Sequence, residues 1–378
     1  MSDAGLGTNG KLGLPPPPER RRVGAGLVRG APAELDDGWR VARPEHQGMD
    51  GAMLRGIAAR FTAGAEAHAH AVVVARHGAL VYEHYFTGED WRWTSPLGLV
   101  GFDAATRHDL RSITKSVTSL IVGAALDRGW IEDLDTPVFS YFPEHGELRS
   151  SAKDRITLAH LLTMSAGFAW DERGAWDSPN NNERLMDEAR DPYRYVLEQD
   201  VATPPGRIYD YCGGAPTLLQ GVIQKTSGKP LDVVAREVLL APLAITDAEW
   251  TRFPNGDVRG YGGLRLRPRD LAKIGQLVLD RGVWQGRQII RPEWIAASTA
   301  PRINGDGIFF YGYLWWLGRF LVERHEIRWI AAFGNGGQRL YIVPRLDLVV
   351  AVNAGAYTAP QIVGEIVLKR HVLPAIFR

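Results

Sequence analysis

A single cysteine, Cys212, stands in 378 residues, which excludes an internal disulfide framework and suits a reducing compartment. With 44 Lys+Arg against 43 Asp+Glu the formal net charge is +1, so there is no cationic surplus to neutralise phosphates and nucleic acid is not an expected partner. No uncharged apolar run reaches transmembrane length; the longest candidates, such as "LYIVPRLDLVVAV", are short, charged and broken by proline, so no membrane partner is expected. The opening "MSDAGLGTNGKLGLPPPPERRR" carries its charges after the prolines and has no apolar h-region. It does not read as a secretory signal, and a cytoplasmic location is the expectation. The chain also lacks a G-x-S-x-G elbow, an H-E-x-x-H pair and a Walker A loop, the key features of α/β-hydrolases, zincins and nucleotide hydrolases.

What is present is ordinary globular material, 45% hydrophobic and 23% charged, and long enough for one large domain or two interleaved ones. Residues 1 to about 45 are rich in Gly, Pro and Arg without hydrophobic periodicity, and read as an extended or disordered leader. "MLRGIAARFTAGA" reads as an amphipathic helix, and "HAVVVARHGALVYEHYF" as two strands turning at His77-Gly78. "SITKSVTSLIVGAALD" places Val117, Leu120, Ile121, Ala124 and Ala125 at helical spacing, with Gly129 as a stop signal. Further helical patterns fill about 130–245, another amphipathic helix is "RPRDLAKIGQLVLDRG", and "RWIAAFGNGGQRLYIVPRLDLVVAVNA" clusters β-branched residues as two or three strands. "APQIVGEIVLKRHV" closes the chain with a helix. Strands at both ends around a helical middle predict an α/β (α+β) architecture: an antiparallel sheet from both chain ends, flanked by helices, with an inserted, mainly helical lobe. In this division residues 46–378 form the folded domain, the α/β lobe taking about 46–110 and 250–378 and the helical lobe about 111–249.

Ser112 and Lys115 sit three apart at a helix start, so their side chains share a face. A neutral serine is a poor nucleophile, and a lysine takes its proton only if burial or nearby positive charge lowers the amine's pKa toward neutrality. The helix N-terminus supplies such a field, and the Ser112 N–H is placed to hold an oxyanion. The same S-x-x-K pattern recurs at Ser150 and Lys153, but "RSSAKDR" is polar throughout, so Lys153 is expected to be solvated and protonated. His68 and His70 alternate beside a strand; without a third ligand at a recognisable spacing they read as surface histidines, and no metal or other cofactor is assigned. The tryptophans, among them Trp170, Trp176, Trp315 and Trp316, read as core by default.

"LRSITKSVTSLIVGAALDRGWIEDLDTPVFSYFPE", "ITLAHLLTMSAGFAWDE", "PGRIYDYCGGAPTLLQGVIQKTSG", "GGLRLRPRDLAKIGQLVLDRGVWQGRQIIRPEWI" and "AAFGNGGQRLYIVPRLDLVVAVNAG" together resemble the serine β-lactamase-related hydrolases. That group includes class C β-lactamases, esterases and aminohexanoate-dimer hydrolases, and the resemblance runs over roughly residues 70 to 370. It implies the β-lactamase/transpeptidase-like fold, with the site between lobes. Tyr211 falls on the family's proton-relay tyrosine and Tyr209 on a packing aromatic. A phenol near Lys115 also suits transfer of a proton from Ser112 to a leaving group. Cys212 and Gly213 depart from the family's usual small polar residues, and Cys212, with no paired histidine nearby in sequence, reads as a small buried thiol rather than a nucleophile.

The third family motif normally carries a cation; here the strand reads "FGNGGQ". Asn335 is assigned the second oxyanion N–H, Gly336 and Gly337 a close backbone approach to the substrate, and Trp170 a place on the pocket wall. The missing cation counts against penicillin-type substrates and favours a small-molecule ester or amide cleaved through an acyl-enzyme on Ser112. The alternatives are β-lactamase or D-alanyl carboxypeptidase activity, and a non-catalytic binding protein on the same scaffold. No heptad or self-complementary patch sets an oligomeric state.

Overall fold

The computed structural model describes residues 30–62, 68–322 and 324–377. Its centre is a nine-stranded sheet. Across the sheet run Arg40–Val41, Ala79–Tyr85, Ala69–Arg76, Leu348–Ala354, Gln338–Val343, His325–Gly334, Trp316–Val322, Phe310–Tyr311 and Ile303–Asn304. All neighbours are antiparallel except the edge pair of Arg40–Val41 with Ala79–Tyr85. The expected turn between the Ala69–Arg76 and Ala79–Tyr85 strands is made by His77 and Gly78, at φ 50° and 69°, the left-handed pair that matches strand twist in a two-residue hairpin.

The central strands read as unbroken apolar runs because both faces of the sheet are covered. In Ala69–Arg76, Val73 and Ala75 join one core and Val72 and Val74 the other. The first core is closed by Pro268–Leu279 and by the inserted helices; the second by Gly51–Thr62 and the C-terminal segment from Val363. Among the described residues no helix is long and apolar enough to cross a membrane.

Ile113–Asp127 lies between sheet and inserted helices, with every side chain from Ile113 to Ala125 buried. A helix so enclosed must satisfy its polar groups internally. Thr118 Oγ1 donates to Gly260 O (2.7 Å), Ser116 Oγ donates to Leu314 O (2.6 Å), and Thr114 Oγ1 accepts from Leu264 N–H (3.2 Å). Each of these bonds pins a segment distant in sequence to the helix.

Residues 1–29 of the expected leader lie outside the described residues, and residues 30–45 are docked on the sheet instead of extending free of it. Trp39 is buried, its indole N–H donates to Arg269 O (3.2 Å), and Arg40–Val41 adds a parallel strand. Beneath them the Arg269 guanidinium, 2% exposed, spans both oxygens of Glu83 (2.7 and 2.8 Å) and also reaches Asp37 (2.9 Å) and Ala33 O (2.5 Å). A low-periodicity segment is thus held by a buried arginine together with a buried tryptophan and a short strand, and the arginine is a tie that hydrophobic patterning does not register.

Removing one partner of a buried, hydrogen-bonded pair leaves the other uncompensated. Arg269→Met is expected to cost about 3–5 kcal/mol of unfolding free energy, read by urea denaturation. The double change Arg269→Met/Glu83→Gln is expected to recover part of that loss, and a pure packing role for Arg269 predicts no recovery.

Candidate active site

The chain enters the Ile113–Asp127 helix through Arg111, which adopts φ 52°, a left-handed conformation uncommon for a residue with a side chain. Leu110, Arg111 and Ser112 carbonyls accept the amides of Ile113, Thr114 and Lys115 in a tight first turn. Ser112 is half-buried and faces a cleft of about 670 Å³. One turn on, Lys115 is 1% exposed and its Nζ donates to Ser112 Oγ (2.9 Å) and to Tyr261 O (3.0 Å). Among the described residues Lys115 makes no ion pair.

Burial is the main cause that lowers the Lys115 pKa from the ordinary lysine value, while the Glu172 and Glu183 carboxylates oppose it. Loss of hydration disfavours the ammonium more than it does the amine. The same burial raises both acids. Glu183 is pushed up to about 8, helped by the charge of Glu172, and Glu172 is raised against the pull of Lys115.

Tyr211 sits in the same cleft with its ring centroid 4.9 Å from Lys115 Nζ, its phenol interacting with Ser112, and its ring stacked on Trp316 at 6.0 Å. Burial and the charge of Glu172 raise its pKa well above the usual phenol range, and the interaction with Ser112 opposes them. Tyr209 packs edge-on against Tyr311 (5.1 Å) and Trp316 (5.9 Å). Cys212 is buried and its thiol pKa is pushed well up by that burial, so at neutral pH it is a protonated thiol.

The His325–Gly334 strand ends against the turn that carries Ser112. A Cβ on Gly334 would lie 2.3 Å from Leu110 O, so only glycine lets the backbones meet. That contact puts Phe333, Gly334 and Asn335 on the cleft wall together with Ser112 and Tyr211.

Three sequence-based assignments are corrected. Gly336 and Gly337 do not line the cleft: their amides are taken by Asn335 Oδ1 (2.9 Å) and Gln361 Oε1 (3.2 Å), and Gly336 turns toward the Tyr357 ring. Trp170 is buried behind the wall, where its indole N–H donates to Glu172 Oε2 (2.7 Å). Trp176, read as core, is instead a wall residue, 37% exposed and facing the cleft, while Trp316 packs against both cores as expected and also lines the cleft.

The recurring pattern at Ser150 and Lys153 is separated by a different cause from the one expected. Lys153 is buried rather than solvated, but its Nζ is spent on Leu197 O (2.6 Å), and Ser150 Oγ accepts the Lys153 backbone amide (3.3 Å). His70 is likewise not on the surface: it is 1% exposed and lies against His108 and Asp90.

Glu172 and Glu183 are the cleft residues the sequence reading missed. Glu172 lies inside the "FAWDE" block, and its Oε2 accepts the Gly213 amide (2.6 Å). A Cβ on Gly213 would come within 3.1 Å of that oxygen, so the polar group absent from position 213 is supplied by Glu172. The strand carries no lysine, yet three arginines line the cleft, each beside a carboxylate: Arg111 with Asp109 (3.4 Å), Arg173 with Asp306 (3.4 Å), and Arg339 with Glu365 (3.5 Å).

Comparison with known proteins places these features in context. The Beta-lactamase family model matches residues 54–357. The chain is 26% identical over 274 residues to a 6-aminohexanoate-dimer hydrolase of Paenarthrobacter ureafaciens, a match covering 66% of each chain. It is 28% identical over 188 residues to the esterase/beta-lactamase LipL of Mycobacterium tuberculosis, covering 48% of this chain and 40% of that one. The matched stretches therefore span less than two thirds of these relatives' lengths. Among solved structures, a family VIII carboxylesterase aligns over 89% of this chain and 98% of its own at 17% identity and TM-score 0.64. A D-stereospecific amidohydrolase from Streptomyces aligns over 85% and 98% at 17% identity and TM-score 0.63, a likeness of fold. The extent of the family match, on a sheet and an inserted helical region of this architecture, leads to one conclusion: the chain belongs to the Beta-lactamase family, the class C β-lactamase-like serine hydrolases related to esterases and aminohexanoate-dimer hydrolases.

Proposed function

We propose that the chain is a serine hydrolase that cleaves an ester or amide bond of a small molecule through an acyl-enzyme on Ser112. The observation that carries the reading is the 2.9 Å contact between Ser112 Oγ and Lys115 Nζ, a buried lysine without an ion-pair partner among the described residues. In this reading the Lys115 amine takes the hydroxyl proton as Ser112 Oγ bonds to the substrate carbonyl carbon. The backbone N–H groups of Ser112 and Asn335 hold the resulting oxyanion. Tyr211 then passes a proton to the leaving alcohol or amine as the carbonyl–leaving-group bond breaks. Water repeats the sequence on the acyl-enzyme, with Tyr211 and Lys115 acting in the reverse direction as base, and the acid is released.

The cleft supports a preference for uncharged acyl groups. Trp93, Trp176, Trp316 and Phe333 supply apolar wall, and each cleft arginine stands beside a carboxylate that offsets part of its charge. Esters and linear amides fit that surface better than penicillin-type carboxylates. The likeness to a dimer hydrolase and to an esterase/beta-lactamase supports testing these classes side by side.

A rate screen of p-nitrophenyl esters, linear amides and nitrocefin tests the proposal. Ester or amide turnover is expected to exceed nitrocefin turnover. Ser112→Ala and Lys115→Met are each expected to lower kcat by at least ~10³-fold, and Tyr211→Phe by about 10²–10⁴-fold. Full activity in folded Ser112→Ala rules out the acyl-enzyme, and nitrocefin turnover equal to that of short esters restores the β-lactamase alternative.

The pH profile tests the base. Lys115 must be neutral to accept a proton, so kcat/KM is expected to rise with pH through an apparent pKa below the ordinary lysine range. The Glu172 charge raises that pKa, so Glu172→Gln is expected to move the rising limb toward lower pH. A limb that stays in place shows that Glu172 carries no charge over that range or that Lys115 is not the group that titrates.

A further inference from the structure

Three strands that belong to three different sheets meet upstream of the nucleophile turn. Ala69–Arg76 is in the main sheet, Thr87–Arg92 in a two-stranded ribbon, and His108–Asp109 in a short three-stranded sheet with Leu264–Leu266 and Glu249–Trp250. Each contributes one side chain to a common point: His70, Asp90 and His108, at 1%, 1% and 0% exposure. His70 Nδ1 lies 2.8 Å from His108 Nε2, Asp90 Oδ1 lies 3.4 Å from His108 Nε2 and 3.9 Å from His70 Nδ1, and one donor atom from each falls within 4.8 Å of the others.

We propose that His70 Nδ1, His108 Nε2 and Asp90 Oδ1 bind a structural zinc ion that cross-links the three sheets. Zinc takes imidazole nitrogen and carboxylate oxygen at about 2.0–2.2 Å, and a tetrahedral arrangement of such bonds sets the donors about 3.3–3.5 Å apart. The three observed separations bracket that edge. Two imidazoles and one carboxylate are also a donor set that suits zinc rather than calcium or magnesium, which take oxygen.

Two further observations favour an ion over a purely hydrogen-bonded cluster. His108 Nδ1 lies 2.9 Å from Asp109 O, a contact that requires the proton on Nδ1 and leaves the Nε2 lone pair facing the cluster, as a metal-bound histidine is oriented by its outer partner. Asp90 is enclosed, yet among the described residues neither of its oxygens has a hydrogen bond of ordinary geometry, and the backbone amide of Trp91 alone offers it a weaker one. A buried carboxylate without partners is costly, and a cation between it and the two imidazoles removes that cost. The pocket is also built to hold the ring of His70, which stacks on Phe102 at 4.3 Å and passes so close to Gly88 and Gly355 that a Cβ on either would lie 2.5 Å from it.

The ion's place in the fold follows from what it joins. His108 and Asp109 lead directly into Leu110, Arg111 and Ser112, and Asp109 accepts the Trp93 amide (2.7 Å) and pairs with Arg265. The three protein donors fix the approach to the nucleophile turn and leave a fourth position for water. They take no part in the proposed acyl transfer, so this inference stands or falls apart from that reading.

The test is metal analysis of the full chain, expressed with zinc and purified without a histidine tag. The wild type is expected to retain about one zinc per chain by plasma mass spectrometry. After chelation, zinc but not magnesium is expected to raise Tm by about 2–4 °C at a large excess over Kd. Asp90→Asn, which keeps the side chain's shape, is expected to lose both the bound zinc and the Tm response. A folded wild type that holds less than ~0.1 zinc per chain, holds a different metal in its place, or shows no zinc-specific Tm response overturns the proposal. Retention of zinc by folded Asp90→Asn overturns it equally, and if that variant does not fold, the wild-type measurements decide.

Discussion

The rest of the site depends on one constraint: an amine that is ionised in water is enclosed within 2.9 Å of a serine hydroxyl and, among the described residues, given no ion-pair partner. Keeping Lys115 dry takes a helix buried on all sides, and four of its buried polar side chains, Thr114, Lys115, Ser116 and Thr118, find internal partners. The partners are backbone groups distant in sequence. Lys115 itself holds Tyr261 O, Thr118 holds Gly260 O and Thr114 holds Leu264 N–H, so the segment that roofs the lysine is tied down by the helix it covers. Burial of Lys115 and the order of its surroundings are therefore one feature, and a change that loosens either is felt by both.

Charge in the cleft is balanced at a distance from the base. Glu172 and Glu183 act on Lys115 through space and raise its pKa, while burial raises their own. Glu172 is fixed by Trp170 and by the amide of Gly213. The departure at position 213, which removes a polar side chain, therefore does not strip the site of polarity; the acid reaches in from another loop.

Much of the architecture was legible in the sequence because it follows local periodicity. The turn at His77-Gly78, the helix after Ser112 and the strands on either side of Pro344 follow from residue type and spacing. Ser112 and Lys115 were legible for the same reason, one helical turn being a spacing a sequence displays. Tyr211, Asn335 and the family block around Trp170 came from resemblance, which placed Tyr211 and Asn335 on the cleft but set Trp170, Gly336 and Gly337 too near it. In those cases the backbone passes by the cleft while the side chain or amide is engaged behind it. Glu172, Glu183 and the group of His70, Asp90 and His108 were not legible because their members come from separate loops and strands, with no interval that marks them as neighbours. The strands Glu249–Trp250 and Leu264–Leu266 are too short to show a period.

The central claim is that a buried, neutral Lys115 makes Ser112 nucleophilic. Its most direct measurement is the rate at which a fluorophosphonate probe labels the folded protein as a function of pH, with the modified residue read by peptide mass spectrometry. The account predicts labelling at Ser112, at a rate that rises through an apparent pKa below that of an ordinary lysine and that collapses in Lys115→Met. Absence of labelling, labelling at another serine, or a rate indifferent to Lys115 would contradict it.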